Sequence, residues 1–336
     1  MAPVRSALER RAPFADVAVV GLPRALMYYR LGAKWRAFFE ALGREVRVSA
    51  PSDRAVFERG QALSVDECCL ASKLYLGHVD ALADEADAVF VPSFAIPGPL
   101  RSYCTKFQAL PDLVTSAFSL AERPVRVLSA LLSEGGAERD ERGSYAALAQ
   151  SMGASRRDGE RAWRAACAAQ RERDASLARA QAELVAGARR LPAAERPLLI
   201  LLSAHPYVAH DPFVAGPVVD ALRANGATVL FADEFDHARG LRRSRDFSPS
   251  LPWIVNRELV GAILELHERV DGVVLVSAFP CGPDSMTDDA IALCVKGRPL
   301  LTLTVDAQSG TAGVETRVES FVDILSYQRK GGYLHE

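Results

Sequence analysis

The chain's six cysteines, Cys68, Cys69, Cys104, Cys167, Cys281 and Cys294, are the residues whose chemistry most needs an explanation. Cys104, in Arg-Ser-Tyr-Cys-Thr-Lys-Phe, follows the apolar run Ala88 to Val91 after a loop rich in proline and glycine. Cys281, in Phe-Pro-Cys-Gly-Pro-Asp-Ser, follows the run Val273 to Val276 almost directly. Cys68 and Cys69 come just after Ser64 and Glu67, whose spacing is that of a capping box. That spacing places the pair in the first turns of a helix, where the helix N-terminus favours thiolate. Thiolates supplied by different loops suit a soft metal, with zinc and iron-sulfur clusters as the common occupants. No Cys-x-x-Cys pair is present, so spacing alone leaves cluster, zinc and inert buried thiols all open. Neighbours on a helix point about 100° apart, so one iron would use only one of Cys68 and Cys69, and periodicity does not say which. Cys167, in an alanine-rich helix, and Cys294, on the apolar face of a short helix near Asp289, read as core packing.

Histidines form a second set. His205, in Ser-Ala-His-Pro-Tyr, and His210, before Asp211 and Pro212, follow the apolar run Leu198 to Leu202. A proton carrier or metal ligand is expected in such a place, and a ring bonded to nearby backbone is the plain alternative. His78, after Gly77, reads as packing or helix surface. Gly21-Leu22-Pro23-Arg24 is a strand-to-helix turn whose amides could hold an anion, without being a phosphate loop. Gly310 to Arg317 also follows a strand and opens a helix, with Glu315 and Arg317 available for an ion pair.

These residues must be positioned by a framework, and the hydrophobic pattern describes one. Short apolar runs (Val17 to Val20, Val46 to Val48, Ala88 to Val91, Val125 to Leu128) alternate with helical stretches such as Pro23 to Leu42. The rhythm stops in an Ala/Arg/Glu-rich helical region. It then resumes with Leu198 to Leu202, Thr228 to Phe231, Val273 to Val276 and Leu300 to Val305, separated by helices, and a last helix near Val314 to Leu325. The expected fold is α/β: an N-terminal domain over residues 14–136, a helical connector or cap over 137–195, and a C-terminal domain over 196–330. Each domain is a doubly wound, mostly parallel sheet of the Rossmann or flavodoxin-like kind, because parallel strands need helical crossovers. In such sheets ligands collect beyond the carboxyl ends of the strands, which is where the cysteines and histidines fall.

With 336 residues, 49% of them hydrophobic, the chain can build two cores, since one core rarely grows past roughly 250–300 residues. A net charge of −2 leaves no basic field for nucleic acid. The N-terminal stretch, broken by Pro3 and Pro13, has no signal-peptide core, and no segment has the roughly 18 apolar residues of a membrane span. A cytoplasmic location is therefore expected, where thiols stay reduced and disulfides are a poor explanation for six cysteines.

Taken in order, several dispersed strings resemble the acyl-CoA dehydratase activase-related family. They are Gly21-Leu22-Pro23-Arg24-Ala25-Leu26; Asp66-Glu67-Cys68-Cys69-Leu70 with Lys73-Leu74 and Gly77-His78; Cys104-Thr105-Lys106-Phe107 with Leu110-Pro111-Asp112; His205-Pro206-Tyr207 with His210-Asp211-Pro212; Cys281-Gly282-Pro283-Asp284-Ser285; and Glu315-Thr316-Arg317. The resemblance runs from Val17 to about Leu325 and is weakest in the helical middle. It implies distant kinship with 2-hydroxyacyl-CoA dehydratase subunits and double-cubane cluster proteins. It also implies Cys69, Cys104 and Cys281 as ligands of a [4Fe-4S] cluster, or of a double-cubane [8Fe-9S] cluster, in the cleft between the domains. Three protein ligands would leave one iron open. His205, His210 and Lys106 would then supply protons or anion contacts. The chain departs from the family at Ala71 and Thr105, where prolines are usual, and in the extra thiol of Cys68. It carries no ATPase phosphate loop, so a separate ATP-dependent activase or other low-potential electron donor is the implied partner, with a homodimer as the implied assembly. The expectation is a redox enzyme component, reductase or dehydratase-like, or else an electron-transfer or scaffold subunit. The alternatives are a zinc-binding protein using the same cysteines plus a histidine, and a metal-free two-domain small-molecule binder with its pocket at Asp284-Ser285 and Gly310 to Gly313.

Overall fold

Apolar runs with no polar alternation have to be buried on both faces, and in this chain they are strands of parallel sheets flanked by helices. The computed structural model describes residues 12–94, 98, 101–134, 136–192, 195–306 and 311–330. The chain divides into two units. Met1–Asp66 and Ser72–Arg173 form an N-terminal unit, and Glu67–Ala71 joins Asp174–Glu336 in a C-terminal one.

The elements of the N-terminal half run β1 (Val19–Leu22), α1 (Tyr28–Ala41), β2 (Glu45–Val48), α2 (Arg54–Ala62), α3 (Leu70–Leu82), β3 (Ala88–Phe90), β4 (Ser93–Phe94), α4 (Thr105–Gln108), α5 (Leu110–Leu120), β5 (Val127–Leu128), β6 (Leu131–Leu132), α6 (Glu138–Ser151) and α7 (Arg156–Arg190). Four strands make a parallel sheet in the order β2-β1-β3-β5, and β4 pairs with β6. Helix α1 covers the sheet with aromatic rings: Trp35 and Phe39 lie 5.3 and 5.1 Å from Phe90, both edge-on. It starts later than the Pro23 to Leu42 pattern predicts, because Leu26 has φ +49°, a left-handed conformation that a helix excludes. In the preceding turn the Arg24 amide, one of those that could hold an anion, is already committed. The Arg24 amide donates to Ser49 Oγ at 2.8 Å and Arg24 Nε to the Ser49 carbonyl at 3.0 Å. Asp53 caps α2 through the Val56 amide at 2.8 Å. Helices α2 and α3 cross backbone to backbone. A Cβ on Gly60 would lie 1.7 Å from the Lys73 carbonyl oxygen, and one on Gly77 would lie 2.0 Å from that of Val56.

The C-terminal half continues with β7 (Leu198–Ser203), α8 (Pro206–Ala209), α9 (Gly216–Ala224), β8 (Ala227–Phe231), α10 (His237–Arg243), α11 (Ile254–Leu266), β9 (Gly272–Ala278), α12 (Gly282–Cys294), β10 (Leu300–Val305) and α13 (Thr311–Arg329). Its sheet is wholly parallel, in the order β10-β9-β7-β8, and every residue of β7 and β9 is buried. From β7 the chain steps outward to β8 and then returns to place β9 on the other side of β7. The strand order therefore reverses between β7 and β9. In open α/β sheets the crevice beyond the carboxyl ends of such a pair is where ligands bind. The opposite end of this strand pair is tied down by Asp271, which accepts from the Leu199 amide, Arg196 and Arg329, each at 2.8 Å.

The region 137–195 contains no strand among its described residues, as its composition predicts, and is divided between the two units at Arg173 and Asp174. Among the described residues, no helix is long and apolar enough to cross a membrane.

Candidate functional site

The crevice at the carboxyl ends of β7 and β9 receives a side chain from each strand's following loop. After β9 the chain turns into α12 with Cys281 at the N-cap and Pro283 in the first turn. The Cys281 carbonyl accepts from both the amide and the hydroxyl of Ser285, at 3.0 and 2.8 Å, which closes that turn. Asp284 sits in the same turn, where the helix dipole favours a carboxylate, and is only 4% exposed. After β7 comes His205, the N-cap of α8, its ring stacked on Tyr207 at 5.0 Å. His205 Nδ1 lies 2.9 and 3.0 Å from the two Asp284 carboxylate oxygens, and Asn256 Nδ2, from α11, donates to Asp284 at 2.9 Å. The ligating atoms of His205, Cys281 and Asp284 all lie within 4.8 Å of one another.

The electrostatics follow from this crowding. Burial works against the charge on both His205 and Asp284, but each outweighs it for the other. The imidazole is held above its ordinary value and the carboxyl below it. Burial pushes the Cys281 thiol up, and Asp284 adds to the effect. Asp288, one turn further along α12, is raised by burial and by Asp284 to about 7. The half-buried Cys281 thiol is thus held protonated beside a buried carboxylate whose positive partner is the His205 ring. A bound cation reverses that logic, because it favours the deprotonated forms of its ligands.

The segment bearing Cys69 reaches the neighbourhood of this group from the other half of the sequence. The Leu70 amide donates to the Phe279 carbonyl at 2.9 Å, which anchors Glu67–Ala71 two residues from Cys281. Cys69 is close enough for its charge to raise the Cys281 thiol further. Neither Cys68 nor Cys69 lies inside a helix, contrary to the capping-box expectation, because α3 begins at Leu70. Ser64 lies too far ahead of α3 to cap it, and its hydroxyl donates to the Gln61 carbonyl at the end of α2.

The other expected residues are distributed elsewhere. Cys104 is the half-buried N-cap of α4, in the N-terminal unit. Lys106, in the same short helix, makes no hydrogen bond or ion pair among the described residues. His210 pairs with Asp233 at 2.8 Å, with Glu234 at 3.8 Å, and its ring lies 4.8 Å from Phe231. The two histidines after β7 thus serve different carboxylates. His78 is buried in the N-terminal unit against Ser52 Oγ at 2.9 Å, and burial followed by the charge of Arg24 lowers it to about 4. Cys167 is half-buried, and Cys294 is exposed instead of packed, because the chain turns Val295 inward as α12 ends. Arg317 donates to the Thr302 carbonyl at 2.7 Å and makes no ion pair with Glu315 among the described residues. Gly310 lies outside the described residues.

The sequence reading missed Asn256 and Asp288 and gave Asp284 no partner. A signal did exist: a run of buried polar residues, Asn256, Arg257 and Glu258, interrupts a mostly apolar helix. Polar groups fully buried in a helix need partners, so such a run marks a network.

The family described as CoA enzyme activase uncharacterised domain (DUF2229) matches residues 19–235. The span includes Cys69, Cys104, His205 and His210 and ends before Cys281. No curated protein matches the chain. Among solved structures, the periplasmic zinc binding protein TroA from Treponema pallidum is 13% identical with a TM-score of 0.27, covering 92% of this chain and 98% of that one. The C-terminal domain of glucosamine-fructose-6-phosphate aminotransferase from Francisella tularensis is 10% identical with a TM-score of 0.25, covering 95% and 86%. Likenesses this low carry no weight for the site.

Proposed function

This chain belongs to the CoA enzyme activase uncharacterised domain family, and we propose that it binds an iron-sulfur cluster through Cys69 and Cys281, with Cys104 as a third thiolate. The cluster is a [4Fe-4S] unit or a double-cubane [8Fe-9S] one. One observation carries the reading: the Leu70–Phe279 hydrogen bond brings the Cys69 segment, far away in sequence, to the loop that carries Cys281 beside the His205–Asp284 pair, where strand order reverses. The donor set fits a soft metal, since the Cys281 sulfur lies within 4.8 Å of the ligating atoms of His205 and Asp284, and Cys69 is within charge range of Cys281. Such a cluster supplies electron transfer at a potential that its environment tunes over about −700 to +450 mV. Asp284 orients the His205 ring through Nδ1 and favours its protonated form, and a positive ring there would stabilise an anionic cluster. His205 is therefore the first candidate for moving protons, with His210 and Lys106 as further candidates. The proposed electron donor is a separate ATP-dependent activase or another low-potential protein, acting in the cytoplasm, where thiols stay reduced.

The test is iron and acid-labile sulfide per chain, with an electron paramagnetic resonance spectrum after dithionite reduction, on anaerobically purified protein. Wild type is expected to carry about four irons per cubane, in line with cysteine-ligated clusters. Cys281→Ser and Cys69→Ser should lose them, and Cys68→Ser should keep them; Cys104→Ser measures the third ligand directly. Reconstituted wild type without iron would end this reading.

The close grouping of His205, Cys281 and Asp284 favours a second reading, a zinc site with nitrogen, sulfur and oxygen ligands. Zinc without labile sulfide, lost in His205→Ala, would establish it. Absence of both metals would leave a small-molecule binder.

A further inference from the structure

The C-terminal unit holds a second cavity, of about 400 Å³, between the end of α7 and the carboxyl end of β8. Small-molecule sites occupy roughly 300–1,000 Å³. Its walls are apolar, with Ala182 and Val185 facing Leu230, Phe231 and Phe235. The polar groups of its floor are already paired. Gln181 Nε2 donates to the Phe231 carbonyl at 2.7 Å and to Glu234 at 2.8 Å, while Gln181 Oε1 accepts from the Phe231 amide at 3.1 Å. This side-chain amide completes the open edge of β8 as a neighbouring strand would. Asp236 is committed to the Arg239 amide at 2.9 Å.

The cationic groups of the lining are not paired in this way. Arg189 and Arg269 both line the cavity, and neither makes a hydrogen bond or ion pair among the described residues. Guanidinium groups match carboxylate and phosphate oxygens in forked pairs. An apolar chamber whose own acids are engaged and whose two arginines are uncommitted complements a molecule with an apolar body and an anionic head. We propose that this cavity binds such an amphipathic anion, its head held by Arg189 and Arg269 and its body against Phe231 and Phe235. The site is separate from the cysteine cluster and stands whether or not a metal binds there. It does share a wall with the second histidine: the Phe231 ring lies 4.8 Å from His210, and Glu234 lies 3.8 Å from His210 Nε2. Occupancy is therefore readable at His210.

The experiment is calorimetric titration of the full chain with octanoate and octyl phosphate, and with octanol as the uncharged control. At least one anion is expected to bind saturably, tenfold or more tighter than octanol, and the tighter anion identifies the head group. Ala182→Trp fills the chamber and should abolish binding. Arg189→Ala with Arg269→Ala should bring the anion down to the affinity of octanol. In wild type, the His210 imidazole resonances should shift on titration. The proposal is overturned if neither anion binds folded wild type saturably, if octanol binds as well as both anions, or if binding survives Ala182→Trp in a variant whose circular dichroism matches wild type. Metal content measured on the same variants should be unchanged.

Discussion

Two buried polar clusters, one in each unit, differ in what they leave unfinished. In the N-terminal unit Lys34, 5% exposed, donates to Glu134 at 3.0 and 3.1 Å and to Glu141, and the Tyr145 hydroxyl donates to Glu134 at 2.8 Å. The ammonium also lies 5.0 and 4.9 Å from the Tyr145 and Trp163 rings. This arrangement is closed: one cation, the carboxylates it serves, and aromatic walls. In the C-terminal unit Asp284 gathers His205 and Asn256, yet Asn256 Oδ1 has no hydrogen-bond partner among the described residues. Asp288 lies beside it as a further acid, and Cys69 is within charge range of the Cys281 thiol. Burial and shifted titration are common to both clusters and so do not identify a site. What separates them is unfilled ligand capacity, together with a position beyond the ends of the two strands where the order reverses.

Substitutions in the two clusters should fail in different ways. The largest stability effect is expected at Lys34. Lys34→Met leaves Glu134 buried without its cation, which should cost about 3–5 kcal/mol in urea unfolding and leave metal content per folded chain unchanged. Cys281→Ser is expected to do the reverse, removing the metal with little change in the stability of the metal-free protein. A Lys34→Met protein that also lost its metal would erase the distinction. Asp284→Asn is expected to be intermediate. It removes the charge that orients His205, and metal affinity in chelator competition should fall about 10–100-fold, the usual loss when a group supporting a metal ligand is removed. Unchanged affinity would reduce Asp284 to a packing role.

The smallest effect is a pH dependence in the closed cluster. Burial and the neighbouring Glu134 raise Glu141 from 4.5 to about 8, so the folded state retains a proton that the unfolded chain releases. The stabilisation is fully present below the unfolded value and is lost as pH rises through the folded one. Melting temperature should therefore fall for wild type between about pH 5 and pH 9, by the equivalent of on the order of 1 kcal/mol, and Glu141→Gln should flatten that slope. A slope unaffected by the substitution would place its origin elsewhere.

Much of the scaffold was readable from pattern alone. Leu198 to Leu202 and Val273 to Val276 have no polar alternation, which requires burial on both faces and hence parallel pairing under helices. That reading also put His205 and Cys281 at strand ends on the ligand-binding side. It failed where a local rule met a distant partner: the Ser64–Glu67 spacing opens no helix, and the helix starts instead at Leu70, whose amide bonds Phe279. Cys294 failed for a smaller reason, since periodicity does not mark where a helix's last turn releases the chain.

By itself the sequence determined the α/β class, the parallel strands and the candidate residue types, because these depend on short-range periodicity and on the order of apolar runs. Only the tertiary structure decided that Glu67–Ala71 belongs with the C-terminal unit, that Cys69 acts on Cys281, and that His205 and His210 serve different carboxylates. Those outcomes rest on hydrogen bonds and charge contacts between segments far apart along the chain. The energies of such contacts depend on distance in space, and no local pattern of residues records that distance.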